Sequence, residues 1–518
     1  MRTLDRTAGV TLPLSAIRSS RDWGVGEIAD LPMCAAWLKS AGFSVLQLLP
    51  VYELAEGETS PYGARTAFGL DPIFLSISEI ADLDHATNAD FLSEDDERER
   101  QRLTSLDRVD FLAVRALKEK ALARAFENFW VREWVPQTAR AKDLAAFSER
   151  EAGWESDLAL YVAIREEQNR MGWESWSAPL RYRDPTSLAD ARHRLAERIL
   201  RHQYEQWQLA KQWGNARVAI DGLGMKVMGD LPFVVGRESA DVWAEQRLFQ
   251  EGMSLGAPPD ELTPKGQDWG LPPYNWKNLA ESDFAWLRAR VRHASRLYHA
   301  FRVDHLVGYF RQYVRKPNAL GVFDPANEPD QKEHGKVLLA VLAEAADDAD
   351  LIAEDLGLIP KFVRETMSAL GLPGYKVLLW ERDEKTNALR EPATYEASSV
   401  ATWSTHDTQP IGAWWEELKQ TERAELLALM KLDDKATPET IDEGLFALLF
   451  RAGSRLALVL VTELLGERAR INEPGTVGAH NWTYRLPSTV EALVLHEPTK
   501  ERCVRFRAQL IANGRATK

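Results

Sequence analysis

The sequence predicts an α/β protein, a closed (β/α)8 barrel of the TIM type, and three observations carry that expectation. Short apolar runs recur eight times, helical patterning follows them, and most of the runs end in polar or charged residues. In order they are GVTLPLSA (9–16), FSVLQLLPVY (43–52), MKVMGDLPFVV (225–235), AFRVDHLVG (300–308), DLIAEDLGL (350–358), GYKVLLWER (374–382), SVATWSTHDT (399–408) and RLALVLVTELLG (455–466). Strands alternating with helices point to a parallel sheet, and eight of them point to its closure.

The spacing is uneven. A long stretch rich in helix formers separates the second run from the third. It includes FLAVRALKEKALARAFENFW (111–130) and ADARHRLAERILRHQYEQWQLAKQW (189–213), both with apolar residues at 3–4 spacing. This predicts a large helical subdomain over 56–215, with 1–55 starting the barrel and 216–518 completing it. The charged stretch SEDDERERQR (93–102) reads as a solvated helix face or loop. After the third strand, EGMSLGAPPDELTPKGQDWGLPPYNW (251–276) combines prolines and glycines with Trp269, Tyr274 and Trp276. That composition predicts an ordered lid loop.

Composition narrows the function. A hydrophobic content of 45% and a charged content of 27% in 518 residues suit a soluble globular protein. A net charge of −14 argues against nucleic acid and anionic membrane surfaces as partners. Cys34 and Cys503 make no disulfide framework, the N-terminal stretch lacks an uninterrupted apolar segment, and no apolar run is long enough to span a bilayer. A cytoplasmic location is the expectation. The ten histidines include no HExxH pattern, so no metal is expected, nor any cofactor. The excess is aromatic: 18 Trp, a residue whose flat amphipathic ring suits sugar stacking as well as core packing.

Within AFRVDHLVG, Arg302 and Asp304 stand two apart, so in a strand they share a face that Phe301, Val303 and His305 do not. A guanidinium beside a desolvated carboxylate favours its ionised form. That arrangement serves a nucleophile or an electrostatic stabiliser, and equally a structural ion pair. Other strand runs also end in polar groups: Asp230, Glu354 with Asp355, and His406 with Asp407. Any one of these can be a helix cap or a satisfied loop group, and Asp355 suits that role. In a barrel, however, they would gather at the C-terminal mouth, where active sites are built. Carboxylates there with an arginine and a histidine make glycosyl-bond chemistry the leading reaction class.

Further motifs run the length of the chain in one order: RDWGVGEI, SPYGARTAFGLDP (60–72), VMGDLPFVVGRESADVW (227–243), PPDELTPKGQDWGLPPYNW (258–276), FRVDHLVG, AEDLG, LPGYKVL (372–378), STHDT and INEPGTVGAHNWTYRLP (471–487). Through them the chain resembles the amylomaltases, the bacterial 4-α-glucanotransferases (disproportionating enzymes) related to the α-amylase clan. The resemblance implies transfer of α-1,4-glucan segments between maltooligosaccharides by a retaining double displacement. It implies Asp304 as nucleophile, Glu354 as general acid/base and Asp407 as the third, transition-state-stabilising carboxylate. Arg302 would position Asp304, His406 and Asp230 would bind the hydroxyls of the sugar at the cleavage point, and Tyr62 would stack on that sugar. In the lid, Trp269 and Tyr274 would face the acceptor, with Asp260 and Gln267 as polar contacts and Asn472 adding one more; Trp276 reads as packing.

The chain departs from the family where Glu261 and Leu262 follow PPD, a place commonly held by two adjacent aromatics, and in the tail HDTQP. The first departure bears on acceptor preference and on the balance of transfer against hydrolysis. An α-1,4-glucan hydrolase with the same triad, and a non-catalytic glucan-binding barrel, are the alternative readings; products formed from maltooligosaccharides separate all three.

Overall fold

All eight apolar runs enter one closed barrel. The computed structural model describes residues 6–85, 91–259, 266–316, 319–476 and 478–516. Twelve strands occur among them: β1 (Thr7–Leu12), β2 (Val45–Leu48), β3 (Lys226–Leu231), β4 (Ser254–Ala257), β5 (Gln267–Asp268), β6 (Ala300–Val303), β7 (Gln312–Arg315), β8 (Val322–Asp324), β9 (Asp350–Ala353), β10 (Gly374–Val377), β11 (Ser399–Thr402) and β12 (Leu456–Leu460). The barrel order is β1-β12-β11-β10-β9-β6-β3-β2, parallel throughout, and β1 closes it against both β12 and β2. Barrel strands are covered on both sides, so they read as continuous apolar runs. Val45, Met228, Ala300, Ile352, Tyr375, Val400, Leu456 and Leu458 fill the interior as one buried cluster.

The strands are shorter than their apolar runs, and the difference lies at the C-terminal ends. β6 stops at Val303; Asp304 follows at once, and His305 adopts a left-handed φ of 45°. The strand alternation expected to continue through His305 is therefore broken by a turn.

Helices fill the connection from β2 to β3. In Phe111–Phe129 the side chains of Phe111, Val114, Leu117, Ala121, Leu122, Ala125, Phe126 and Phe129 are buried, an apolar stripe at 3–4 spacing. Asp110 caps this helix by accepting from the Ala113 N–H at 3.1 Å. Lys118 lies on the same buried face. Its ammonium donates to the carbonyls of Ile73 and Leu75 at 2.7 and 2.8 Å and pairs with Glu27 at 2.5 Å, tying the helix to the chain on both sides of β2. The charged stretch at 93–102 lies mostly in the helix Glu94–Ser105, whose N-terminus Ser93 and Asp96 cap reciprocally.

The described parts of the 251–276 segment are more ordered than a loop. Its β4 and β5 join β7 and β8 in an antiparallel sheet of order β5-β4-β7-β8. Two of its strands come from the far side of β6, so nothing local in the sequence marks the pairing. Asp260, Glu261 and Leu262 lie outside the described residues. No helix among the described residues is long and apolar enough to cross a membrane.

Candidate active site

The polar groups meet at the C-terminal mouth of the barrel, around Arg302. β3 and β6 pair in parallel with Asp230 opposite Arg302, so both side chains take the same side of the sheet at the same height. Arg302 donates from Nη1 to both oxygens of Asp230, at 2.9 and 2.8 Å, and Nη2 pairs with Asp304 Oδ1 at 2.8 Å. The same Nη2 lies 4.0 Å from Glu354 Oε2. Asp304 and Glu354 thus flank one guanidinium nitrogen. Asp230 is fully buried and Arg302 is 7% exposed, and the carboxylates around Arg302 hold it firmly charged despite burial.

Glu354 leaves the end of β9. Its Oε2 accepts from the His305 N–H at 2.9 Å and its Oε1 from the Leu356 N–H at 3.1 Å. Burial raises this carboxyl to about 7; Arg302 and the two amides pull it down, while Asp304 adds to the rise. It therefore holds a proton close to neutrality.

The Tyr62 hydroxyl donates to Asp230 Oδ2 at 2.8 Å and lies 2.9 Å from His406 Nε2. One phenol carries one proton, so with that proton on Asp230 the imidazole Nε2 carries its own. Burial lowers the His406 pKa, leaving a neutral ring. The Tyr62 and His406 rings stack with centroids 5.5 Å apart and planes 18° apart. His406 Nε2 is 3.4 Å from Asp407 Oδ2, and Asn472 Nδ2 donates to Asp407 Oδ1 at 2.7 Å. Asp407 is the most open of the three carboxylates, with 42% of its side chain exposed against 22% for Asp304 and 14% for Glu354.

From the lid, Trp269 is half-buried and meets the His305 ring edge-on at 4.9 Å, while its Nε1 donates to Gln267 Oε1 at 3.1 Å. Both residues are thereby linked to the turn after Asp304. Tyr274 differs from expectation. It is wholly buried, so its ring cannot face an acceptor; packing against Phe233, Phe249, Trp276 and Trp286 removes it from the surface. Trp276 is packed inside as expected. Asp355 satisfies the Tyr375 N–H at 2.7 Å and pairs with Arg364 at 3.3 Å, the structural role its position allows.

Several members of the site escaped the sequence. Trp482 sits 5.6 Å from the Tyr62 ring and 5.8 Å from His406, completing an aromatic cage. It lies inside a motif that stood out, but its left-handed φ of 65° and its partners are not local properties. Arg470 donates to the carbonyls of Asp407 and Asn472 at 3.0 and 3.2 Å. Arg290 also went unnoticed, although it falls on the buried face of the helix Ala285–Leu297 among Trp286, Leu287, Val291 and Ala294, where a lone charge is the signal that could have found it. No group of three or more histidine, cysteine, aspartate or glutamate side chains suited to a metal occurs among the described residues.

A parallel eight-stranded barrel whose mouth gathers four carboxylates with an arginine and a histidine, two of the four, Asp230 and Glu354, raised to about 7 by burial, defines a glycosyl-bond enzyme of the barrel class. A family model described as 4-alpha-glucanotransferase matches residues 12–490. The chain is 31% identical over 503 residues to the 4-alpha-glucanotransferase of Chlamydia muridarum, covering 94% of this chain and 92% of that one. It is 32% identical over 467 residues to the 4-alpha-glucanotransferase of Thermus thermophilus, covering 87% and 89%. The amylomaltase of Streptococcus agalactiae, solved in complex with acarbose, superposes with a TM-score of 0.84 at 25% identity over 99% of this chain and all of that one. This chain belongs to the 4-alpha-glucanotransferase family.

Proposed function

We propose that this 4-alpha-glucanotransferase moves α-1,4-glucan segments between maltooligosaccharides by a retaining double displacement through Asp304, Glu354 and Asp407. Asp304 attacks the anomeric carbon while Glu354 gives its proton to the departing glycosidic oxygen. The covalent glycosyl-enzyme is then opened by the 4-hydroxyl of an acceptor sugar, with Glu354 taking that proton back. Asp407, Asp230 and His406 hold the hydroxyls of the donor sugar at the cleavage point, within reach of Tyr62. The carrying observation is the shared Arg302 nitrogen. It stands 2.8 Å from Asp304 and 4.0 Å from Glu354, one carboxylate paired and the other raised to about 7, which is the division a nucleophile and an acid need.

Transfer rather than hydrolysis needs an acceptor surface and exclusion of water. Trp269, with Gln267 beside it, supports that role for the lid; Asp260 belongs to the same segment, and Asn472 acts through Asp407. The helical connection at 56–215 serves as a subdomain that carries Tyr62 to the mouth. Two cysteines that pair with nothing, Cys34 and Cys503, favour a cytoplasmic location.

Incubation with maltotriose tests the reading. Longer maltooligosaccharides together with glucose are expected. Maltose and glucose alone would make the protein a hydrolase, and untouched maltotriose, longer oligosaccharides and amylose would leave it a binding protein.

A further inference from the structure

The buried Tyr274 does not face sugar, yet it is tied to the reacting carboxylate. Its hydroxyl donates to the carbonyl of Phe233 at 2.6 Å. Arg290, 1% exposed, donates from Nη1 to that same carbonyl at 2.9 Å and from Nη2 to the carbonyl of Pro232. Arg290 Nη1 also lies 3.2 Å from the Tyr274 hydroxyl oxygen. Pro232 and Phe233 follow directly on β3, and the peptide between them is trans.

In a trans peptide the C=O and N–H point in opposite directions within one plane. The Pro232 carbonyl takes the Arg290 guanidinium on one side, and on the other the Phe233 N–H donates to Asp304 Oδ2 at 3.4 Å. Arg302 holds the other oxygen, Oδ1. Asp304 is therefore gripped on both oxygens, once directly and once through a peptide group aligned and polarised by a buried cation.

Tyr274 also binds the lid sheet. Its N–H donates to Gln312 Oε1 at 2.9 Å, and its carbonyl accepts from Gln312 Nε2 at 2.7 Å and from Gln250 Nε2 at 2.9 Å. Gln312 opens β7, so the root of the lid and Phe233, whose N–H grips Asp304, share one anchor.

We infer that Arg290 and Tyr274 are positioning residues for the reaction, Arg290 setting Asp304 through the Pro232–Phe233 peptide, and Tyr274 fixing the Phe233 carbonyl of the next peptide and coupling Phe233 to the root of the lid. The inference rests on Asp304 being the nucleophile. Neither residue touches substrate, so the effect belongs in kcat and not in the KM for maltotriose.

The test compares Tyr274→Phe, Arg290→Lys and Arg290→Met with the unaltered protein in steady-state transfer on maltotriose. Assays run well below each variant's melting temperature, with the folded fraction checked by circular dichroism. Tyr274→Phe and Arg290→Lys are expected to lose kcat about tenfold with KM nearly constant, and Arg290→Met to lose more, so that lysine restores part of what methionine removes. Unchanged kcat in folded variants, or a raised KM at constant kcat, overturns the inference. Should the Arg290 variants not fold, Tyr274→Phe decides alone, because it removes one oxygen atom. Trapping with α-maltosyl fluoride and mapping the labelled peptide keeps the two readings apart: a label away from Asp304 sinks the nucleophile assignment, whereas a label on Asp304 formed at an unchanged rate sinks only this one.

Discussion

Asn472 holds Asp407: its side-chain amide donates to Oδ1 at 2.7 Å, its own N–H donates to the His406 carbonyl at 3.1 Å, and the other Asp407 oxygen lies 3.4 Å from His406 Nε2. The most exposed of the three carboxylates is thus steered by a neighbour from beyond β12. Replacing Asn472 by Ala frees Asp407 to rotate while leaving its charge in place. The expected outcome is a fall in kcat/KM for maltotriose of one to two orders of magnitude, about 1.4–2.7 kcal/mol of transition-state stabilisation. Asn472→Asp should be worse, since it sets a second carboxylate against the first. Steady-state kinetics on both variants checks the order.

Asp304→Asn keeps the shape of the proposed nucleophile and removes its charge. Transfer should drop by on the order of 10⁴-fold or more, and no covalent glycosyl-enzyme should accumulate with an activated donor. Mass spectrometry of the protein after quenching reads both. Near-native turnover would remove Asp304 from the role proposed for it.

The pH dependence follows from Glu354. A carboxyl raised to about 7 is protonated below that pH and loses its proton above it. Transfer to maltotriose should therefore decline as pH rises through about 7, because the leaving oxygen then finds no donor. Glu354→Gln cannot ionise and should remove that alkaline limb along with most of the activity. With α-maltosyl fluoride, whose leaving group needs no proton, the first step should survive in the variant. A profile flat well above pH 7 in the unaltered protein would contradict the assignment.

Trp482→Ala opens the cage around Tyr62 and His406. Aromatic pairs of this kind contribute about 0.5–1.5 kcal/mol beyond their buried area, so a several-fold rise in KM for maltotriose is expected. Isothermal titration with maltotriose, with Asp304→Asn added to stop turnover, should show a parallel loss of affinity.

Gly374→Ala tests the frame beneath the site. A Cβ there would stand 2.5 Å from Asp355 Oδ1, the atom that also accepts the Tyr375 N–H. β9 and β10 are joined in register only at Gly374 and Ala353, so a displaced Asp355 has little to fall back on. Destabilisation of about 1–3 kcal/mol is expected, read as a lowered melting temperature. Asp355→Asn, which keeps the acceptor oxygen, should cost less.

Legibility in the sequence followed range. The eight barrel strands stood out because a strand buried on both faces needs apolar residues without interruption, a demand met inside four to six residues. Asp230, Arg302, Asp304, Glu354, His406 and Asp407 stood out because polar groups closing such runs have one place to go in a barrel. The lid sheet did not. β5 is two residues long, and its neighbour β4 pairs with β7, which lies beyond β6. Tyr274 misled for the same reason: whether an aromatic among prolines faces solvent or core depends on Phe233, Phe249 and Trp286, none of which is near it in the chain.

The sequence by itself determined the barrel, its order of charged strand ends and the kind of bond the protein acts on, because apolar periodicity and residue chemistry are properties of short segments. The tertiary structure decided which group holds which. Arg302 divides itself between Asp230 and Asp304 because of the β3–β6 register, and Glu354 is raised to about 7 because burial outweighs the pull of Arg302 and of the His305 and Leu356 amides. Ionisation is set by desolvation and by the nearest charges, and both are fixed by residues far apart in the chain.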